Sequence, residues 1–325
     1  MISNDTPRLY IQEVSARDGF QMEPQSIPTA QKIAYLDRLS LTGLAKIEVT
    51  SFSSPVAIPT LADAEAVVAG MKRAPGVVYT ALVPNLRGCE RALATAIDEI
   101  NLVMSASQSH NLANLRMTCE QSLAQLAGIV QRASGSVAIS ASISTAFGCP
   151  FEGAIGAARV LDLVDRLVDM GIQQLSLCDT TGMANPAQAE ELFAQARSRS
   201  PAVAFTAHFH NTRGMGLANA LAAMRAGVTR FDASLGGLGG CPFAPGATGN
   251  VCTEDLVHMF QAMGCQTGVD LERLLLIAAD LAGLVGHEVP GQVVKAGVAT
   301  RRYPFPGAPE RPHATPVVQH AADRQ

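Results

Sequence analysis

Short apolar runs rich in β-branched residues alternate with segments of helical periodicity along most of this 325-residue chain. Strand–helix alternation predicts parallel strands joined by right-handed crossovers, with the helices packed outside the sheet. Eight such units favour a sheet that closes on itself over an open one, so we predict an α/β fold of the (β/α)8 TIM-barrel class. The predicted strands span residues 9–14, 45–50, 77–83, 100–106, 137–144, 173–179, 202–210 and 229–235.

The barrel is predicted to form a single domain over residues 1–290. Glycines follow several helical segments, at Gly43, Gly171 and Gly227, where a left-handed helix end suits them. Beyond residue 290 the sequence is rich in proline and has no periodicity, so 291–325 is predicted to be a partly disordered C-terminal extension. No G-x-G-x-x-G motif follows the first strand, which argues against a dinucleotide-binding fold.

Composition excludes several classes of partner. A net charge of −4 and a pI near 6.0 give no electrostatic basis for nucleic-acid binding. No apolar run reaches the length that spans a membrane, and the first residues lack the pattern of a secretory signal. The 7 cysteines show no paired zinc-type spacing, which is typical of reduced thiols. We therefore expect a cytoplasmic protein.

Polar side chains collect where the predicted strands end. Active sites of TIM barrels are built at the carboxyl ends of the strands and in the loops that follow them. Histidines two positions apart on a strand point to the same side, as two ligands of one metal ion must. The sequence therefore predicts an active site on one rim of the barrel. Its candidate residues are Arg17, Asp18, Gln21, Glu48, Asp179, His208, His210, Cys241 and Asn250.

Four of these residues predict a metal site. Asp18, His208, His210 and Asn250 offer a carboxylate oxygen, two imidazole nitrogens and an amide oxygen. A mixed oxygen and nitrogen set without thiolate suits Mg2+ or Mn2+ and leaves positions for water and a chelating substrate. Zinc also accepts imidazole ligands. Arg17 beside such a metal would stabilise a developing oxyanion.

Each candidate also has a structural interpretation. Arg17 and Asp18 are adjacent and would form a surface ion pair in an ordinary turn. Most cysteines of reduced proteins are inert, although Cys241 lies in a glycine-rich loop where an accessible thiolate could exchange a proton. Glu48 at the end of a barrel strand needs a partner, and Arg17 is the expected one. The joint occurrence of these signals on one rim favours the functional interpretation.

The residues that carry the site also carry a family resemblance. The runs RDGFQME, IEVTSFSSP and LCDTTGMANP resemble motifs of the 3-hydroxy-3-methylglutaryl-CoA lyase family, which are metal-dependent TIM-barrel lyases. The run GLGGCPFAPGATGNVCTEDLV is similar to the cysteine loop of those lyases, and the condensing enzymes of the same barrel group have a different loop there. The resemblance extends over residues 9–286.

The resemblance implies a retro-Claisen cleavage of 3-hydroxy-3-methylglutaryl-CoA to acetyl-CoA and acetoacetate, as in leucine degradation. It implies a Mg2+ or Mn2+ cofactor, an acyl-CoA substrate and a homo-oligomer that is a dimer or larger. The implied roles are metal binding by Asp18, His208, His210 and Asn250; enolate stabilisation by Arg17 with support from Glu48; proton transfer by Cys241; substrate binding by Arg17, Gln21 and Asp179; and structural support behind the loop from Glu254 and Asp255.

The sequence departs from the family pattern in regions expected to contact the substrate. Gln108 stands where the family usually has an acidic residue, basic residues are missing just before Asn114, and Ser140 stands where an arginine is common. Asn211 replaces an aspartate after the second histidine. We therefore expect the segments around Gln108 and Ser140 to select the substrate. Citramalyl-CoA or a 3-alkyl homologue is an alternative substrate, a condensing synthase is an alternative enzyme, and a catalytically silent binder of metal or acyl-CoA is a third possibility.

Overall fold

The computed structural model describes residues 7–240 and 249–303. Eight strands close into a barrel, and every neighbouring pair in it is parallel. The predicted TIM barrel is confirmed, and each predicted strand differs from the observed one by at most two residues at either end. The strands are β1 Tyr10–Glu13, β2 Lys46–Ser51, β3 Val78–Leu82, β4 Glu99–Ser105, β5 Ala138–Ser144, β6 Gly148–Cys149, β7 Gly153–Ala154, β8 Gln174–Asp179, β9 Ala204–Phe209 and β10 Arg230–Ala233.

Strands β6 and β7 form a separate antiparallel hairpin that follows β5, and the barrel order is β1, β10, β9, β8, β5, β4, β3, β2. The helices pack around the barrel with their apolar sides inward. Over 7–240 and 249–303, none of them combines the length and the apolar character needed to cross a bilayer. The helices are α1 Thr29–Leu39, α2 Ala64–Gly70, α3 Leu86–Leu93, α4 Gln108–Leu115, α5 Cys119–Ala133, α6 Ala157–Asp169, α7 Pro186–Arg199, α8 Gly216–Arg225, α9 Thr253–Ala262, α10 Leu271–Val285 and α11 Val293–Ala296.

Local signals explain where several helices begin and end. A capping box is present at the start of α5, where Thr118 and Gln121 satisfy each other's backbone N–H groups. The glycines at 43, 171 and 227 all have left-handed φ angles, of 82°, 91° and 88°. At Gly43 a side chain would also collide with the carbonyl oxygen of Gly268, 2.1 Å from the position of a Cβ. The glycine there allows α1 to end against the segment before α10.

The barrel interior is polar at the amino ends of its strands. Lys46 begins β2, and its Nζ lies 2.6 Å from Oε1 of Glu99, which begins β4. The hydroxyl of Ser140 donates to the same carboxylate oxygen over 2.7 Å. Ser140 therefore lies at the end of the barrel opposite the predicted site, so the expectation that it helps to select the substrate is wrong. Its side chain instead completes a buried ion pair.

Gln108 also has a structural contact. Its Oε1 accepts a hydrogen bond from the backbone N–H of Cys119 over 3.0 Å, which joins the start of α4 to the start of α5. The side chain of Ser107 caps α4 by accepting from the N–H of His110. These bonds explain the polar residues of this segment by helix capping, and the role of Gln108 in substrate selection stays a prediction.

The end of the barrel domain is joined to the residues that follow it. The carboxylate of Asp255 in α9 accepts hydrogen bonds from the backbone N–H groups of Gln292 and Val293, with the shortest at 2.7 Å. A carboxylate at a helix start stabilises its unpaired N–H groups, which explains why α11 begins there. The predicted domain boundary at residue 290 stays a prediction, and residues 304–325 lie outside the described part of the chain.

Candidate active site

Arg17 and Asp18 lie on a π-helical turn, Ser15–Gly19, directly after β1. Its backbone N–H groups at Arg17 and Asp18 both donate to the carbonyl oxygen of Val14, over 3.1 and 2.7 Å. Single π-helical turns are rare and often occur at functional sites. The turn brings two successive polar side chains to the carboxyl end of the barrel, where the sequence predicted them.

Arg17 is held between two carboxylates. Its Nε donates to Oε2 of Glu48, and its Nη1 donates to Oδ1 of Asp18 over 2.6 Å. Burial opposes the charge of the guanidinium, but Glu48 and Asp18 outweigh it and raise the pKa of Arg17 above its usual value. Burial likewise opposes the charge of Asp18, and Arg17 with the two histidines lowers its pKa below the usual range. Both groups are therefore charged at neutral pH.

His208 and His210 lie on one side of the end of β9, as their spacing predicted. Their ring centroids are 5.3 Å apart, and Nε2 of His210 lies 3.8 Å from Oδ2 of Asp18. One ligand atom from each of Asp18, His208 and His210 lies within 4.8 Å of the other two. All three side chains are largely excluded from solvent.

Asn250 lies with these three residues although it is distant in sequence. A single β-bridge pairs it with His210, and its Nδ2 donates to Oδ2 of Asp18 over 2.7 Å. The amide oxygen of Asn250 is buried and accepts no hydrogen bond from the described residues. A side chain on Gly239 would come within 2.6 Å of Nδ2 of Asn250, and φ at Gly239 is 110°. The glycine-rich loop thus approaches the site closely because it has no side chain there.

The donor set fits the predicted metal. The cluster combines a carboxylate and two imidazoles, and the buried amide oxygen of Asn250 lacks the hydrogen bond that such an atom normally has. Oxygen and nitrogen donors of this kind suit a divalent cation that keeps open positions for substrate.

Asp232 is a residue of the site that sequence reasoning missed. Its Oδ2 lies 3.2 Å from Nδ1 of His208, and the register pairs Asp232 of β10 directly with His208 of β9. Burial lowers the pKa of His208, but the hydrogen bond to Asp232 and the charges of Asp232 and Asp18 raise it above the usual value. Metal-binding histidines commonly have such a carboxylate on the second ring nitrogen. The signal was present in the predicted eighth strand, where Asp232 is the one carboxylate.

Asp179 lies at the end of β8, as predicted. Its Oδ1 accepts from the backbone N–H groups of Met183 and Ala184, over 2.8 and 3.1 Å. Its Oδ2 is buried and accepts no hydrogen bond from the described residues. Burial dominates over these bonds and raises the pKa of Asp179 to about 6. A carboxyl group with that pKa and an unused oxygen can accept a hydrogen bond or a proton near neutral pH.

The remaining predicted residues are less closely joined to the cluster. Gln21 follows the π-helical turn and is partly exposed, and its backbone oxygen accepts from the hydroxyl of Thr60 over 3.3 Å. Cys241 lies outside the described residues, so its role stays a prediction. Glu254 supports the segment before it, because its Oε2 accepts from the backbone N–H of Gly236 over 3.0 Å.

The buried carboxylate of Glu13 joins several segments at the carboxyl end of the barrel. Glu13 at the end of β1 accepts from the backbone N–H groups of Ser15 and Leu235, over 2.8 and 3.0 Å, and from the hydroxyl of Thr253 over 2.7 Å. It therefore connects the turn that carries Arg17 with both ends of the glycine-rich loop. Sequence reasoning did not single out Glu13, since it lies within an otherwise ordinary strand pattern.

The chain matches a known protein family over most of its length. The HMGL-like family model matches residues 8–281, which runs from just before β1 into α10. The chain belongs to the HMGL-like family. The predicted family resemblance is thereby confirmed over nearly its whole predicted extent.

Several HMGL-like proteins of known name are similar to this chain. A solved structure of an HMG-CoA lyase from Acinetobacter baumannii, in complex with coenzyme A and 3-methylmalate, is 49% identical with a TM-score of 0.89, and the match covers 92% of this chain and 98% of that one. A hydroxymethylglutaryl-CoA lyase of Bacillus subtilis is 45% identical over 88% of this chain and 96% of its own length. An (R)-citramalyl-CoA lyase of Chloroflexus aurantiacus is 39% identical over 88% of this chain and 94% of its own length. The predicted enzyme class, a carbon–carbon lyase, is confirmed by these relatives.

Proposed function

We propose that this protein cleaves 3-hydroxy-3-methylglutaryl-CoA to acetyl-CoA and acetoacetate in a reaction that depends on Mg2+ or Mn2+. The observation that carries the proposal is the meeting of Asp18, His208 and His210 beside Arg17 at the carboxyl end of an HMGL-like barrel. Asn250 adds a buried amide oxygen to the same cluster. These four side chains would hold a cation that the substrate chelates, and its charge would ease the loss of the substrate's hydroxyl proton.

Arg17 would stabilise the negative charge that develops when the C2–C3 bond of the substrate breaks. Its guanidinium is already oriented by Glu48 and Asp18, so little reorganisation is needed when the enolate of acetyl-CoA forms. Asp179 has a free buried oxygen and a pKa of about 6, which suits it to accept the hydroxyl proton or to hold the hydroxyl in place. Cys241 would then return a proton to the enolate carbon, and Gln21 would contact the substrate.

A second substrate has a specific observation in its favour. Citramalyl-CoA has the same 3-hydroxy-3-methyl carbon and a shorter carboxylate arm, and a citramalyl-CoA lyase is among the relatives that align over most of the chain. Cleavage of citramalyl-CoA would use the same four metal ligands and Arg17. The two substrates differ only in the distance between the carbon that carries the hydroxyl and the distal carboxylate.

A coupled assay for acetyl-CoA tests the proposal. Purified protein with Mg2+ or Mn2+ is given 3-hydroxy-3-methylglutaryl-CoA, citramalyl-CoA and a 3-alkyl homologue at equal concentrations, and the expected result is highest kcat/KM on the first. Faster cleavage of citramalyl-CoA would shift the assignment to that substrate. Release of CoA from acetyl-CoA and a 2-keto acid without any cleavage would identify a synthase, and no turnover with tight metal binding would identify a silent binder.

Three further properties belong to the same proposal. We infer a homo-oligomer, dimer or larger, which light scattering on the purified protein tests. We infer a cytoplasmic location, which cell fractionation tests. A role in leucine degradation would appear as a growth defect on leucine when the encoding sequence is deleted.

A further inference from the structure

A row of polar side chains crosses the barrel interior beneath Arg17. Asn101 on β4 donates from Nδ2 to Oε1 of Glu48 over 3.0 Å. Ser142 on β5 donates from its hydroxyl to Oδ1 of Asn101 over 3.0 Å. Glu48 in turn accepts from Nε of Arg17 through its other oxygen. Four side chains, from the turn after β1 and from strands β2, β4 and β5, thus form one chain of hydrogen bonds that ends at the candidate active site.

The atoms of this chain are complementary. The two oxygens of Glu48 are used by different donors, Oε2 by Arg17 and Oε1 by Asn101. Two donors on different sides restrict rotation of a carboxylate about its last bond, so Glu48 can hold Arg17 in one orientation. Glu48 is 3% exposed, and water therefore does little to replace either donor.

The carboxylate of Glu48 only accepts hydrogen bonds, so the amide of Asn101 turns its nitrogen to Glu48 and its oxygen to the hydroxyl of Ser142. A hydroxyl that donates to Oδ1 favours the orientation in which the NH2 group lies on the opposite side, toward the carboxylate. With the amide turned around, two acceptor oxygens would face each other at Glu48 and the hydroxyl of Ser142 would lose its acceptor. Ser142 is 7% exposed, so water does little to replace its hydroxyl as the donor to Oδ1 of Asn101.

We propose that Asn101, held by a hydrogen bond from Ser142, is a positioning residue that fixes Glu48 and through it the guanidinium of Arg17. The inference rests on the proposed function, in which Arg17 stabilises the enolate. Asn101 acts through other residues and is not itself a catalytic group. It lies in none of the sequence motifs that carry the family resemblance.

The same strand offers a matched comparison. Ser140 and Ser142 both lie on β5, both are 7% exposed, and each donates a hydrogen bond to a side chain of β4. Ser140 donates to Glu99 at the amino end of the barrel, which has no path of hydrogen bonds to Arg17 among the described residues. A purely structural role predicts the same behaviour for the two serines, and a positioning role predicts different behaviour.

The first experiment compares Ser142→Ala with Ser140→Ala and adds Asn101→Asp. We expect the two serine variants to lose similar amounts of thermal stability, and only Ser142→Ala to lower kcat. Asn101→Asp replaces the donor with a second carboxylate, and we expect it to lower kcat by about 10- to 100-fold at pH 8, as loss of an outer partner commonly does at metal sites. The KM for substrate is expected to change little. Equal kcat in Ser142→Ala and Ser140→Ala would overturn the proposal.

The pH profile of Asn101→Asp gives a readout that a residue with a purely structural role would not produce. Two adjacent carboxylates raise the pKa of one of them, so one of the pair takes up a proton as the pH falls. The protonated carboxyl then donates an O–H to its neighbour in place of the amide N–H. We expect the kcat of Asn101→Asp, taken relative to wild type, to rise as the pH is lowered. A ratio that stays constant across the same range would contradict the positioning role.

A crystal structure of Asn101→Asp separates this inference from the proposed function. If the wild-type protein cleaves none of the three acyl-CoA substrates, the proposed function fails, but the structure still tests whether residue 101 positions Arg17. We expect the carboxylate of Glu48 to turn away from residue 101 and the guanidinium of Arg17 to move with it. A guanidinium that stays bound to Glu48 and Asp18 as in wild type would overturn the inference.

Discussion

His208 and Asp232 face each other from neighbouring barrel strands, with Nδ1 of the histidine 3.2 Å from Oδ2 of the carboxylate. This contact determines which ring nitrogen of His208 is available to a metal, because a nitrogen that donates to Asp232 cannot also be a ligand. It leaves Nε2 as the ring nitrogen of His208 that is available to a metal bound with Asp18 and His210.

The first prediction concerns the loss of this contact. Asp232→Asn keeps the size of the side chain but removes the charge that makes the imidazole a better ligand. We expect Mn2+ affinity to fall by about 10- to 100-fold, measured by titration calorimetry. Asp165→Asn is the matched control, because Asp165 pairs with Arg199 on the protein surface. Equal Mn2+ affinity in the two variants would show that Asp232 does not tune the site.

The second prediction is a pH dependence. Burial lowers the pKa of His208, but the hydrogen bond and charge of Asp232 raise it by more, so the pKa lies above the usual 6.5. A proton therefore competes with the metal up to a higher pH than at an ordinary histidine. We expect the apparent Mn2+ affinity, normalised to the plateau of each variant at high pH, to fall on acidification with a midpoint that moves to lower pH in Asp232→Asn, although the plateau itself is weaker there. His287→Gln, at an exposed histidine, should leave the midpoint unchanged; a shift of similar size there would point to a general effect of charge.

The third prediction concerns Glu254. Burial outweighs its hydrogen bonds and raises the pKa of Glu254 to about 8. In the unfolded chain this carboxyl ionises near 4.5, so unfolding releases a proton at intermediate pH and the free energy of unfolding falls as the pH rises from about 4.5 to 8. Glu254→Gln cannot ionise. We expect it to be more stable than wild type by about 1–3 kcal/mol at pH 8, and by much less at pH 5, in urea unfolding.

The exposed Glu191 provides the control for that experiment. Glu191→Gln changes the net charge by the same amount without affecting a buried group, and it should show no comparable change between pH 5 and 8. If Glu254→Gln and Glu191→Gln respond alike, the stability of the protein depends on net charge and not on the buried carboxyl.

The fourth prediction concerns Cys241. Cys241→Ser should reduce turnover strongly while Mn2+ affinity stays near that of wild type, because the predicted metal ligands do not include the thiol. Cys265→Ser is the control, since Cys265 lies beside the bridge between Arg8 and Gln266 at the amino end of the barrel. Turnover that survives in Cys241→Ser would remove the thiol from the proposed proton transfer.

The barrel was predictable because period-two alternation and crossover length leave few topologies. His208 and His210 were predictable as a pair for the same reason, since alternation alone puts them on one side of β9. The hairpin of β6 and β7 was not, because Gly148–Cys149 and Gly153–Ala154 are too short to show any alternation.

Partners across the barrel were harder to find from sequence than residues at strand ends. Asp232 and Asn101 lie inside strands. The neighbouring residues in the sequence do not indicate which side chain such a polar residue will contact. Closure of the barrel with its particular register is what brings Asp232 to His208 and Asn101 to Glu48. Ser140 was misplaced for a related reason. Its position along β5, and not its residue type, puts it at the amino end next to Glu99.

The ion pair of Lys46 and Glu99 means that the positive charge at the amino end of this barrel comes from β2. Relatives are expected to carry an arginine at position 140, on β5, whereas here the cation reaches Glu99 from β2. In relatives with that arginine a cation beside Glu99 would come from β5, and in this chain it comes from β2. A chimera that imports β5 with an arginine at position 140 would place two cations beside Glu99. A chimera that also replaces Lys46 would again have a single cation there. Strands β2 and β5 of this barrel are best exchanged together.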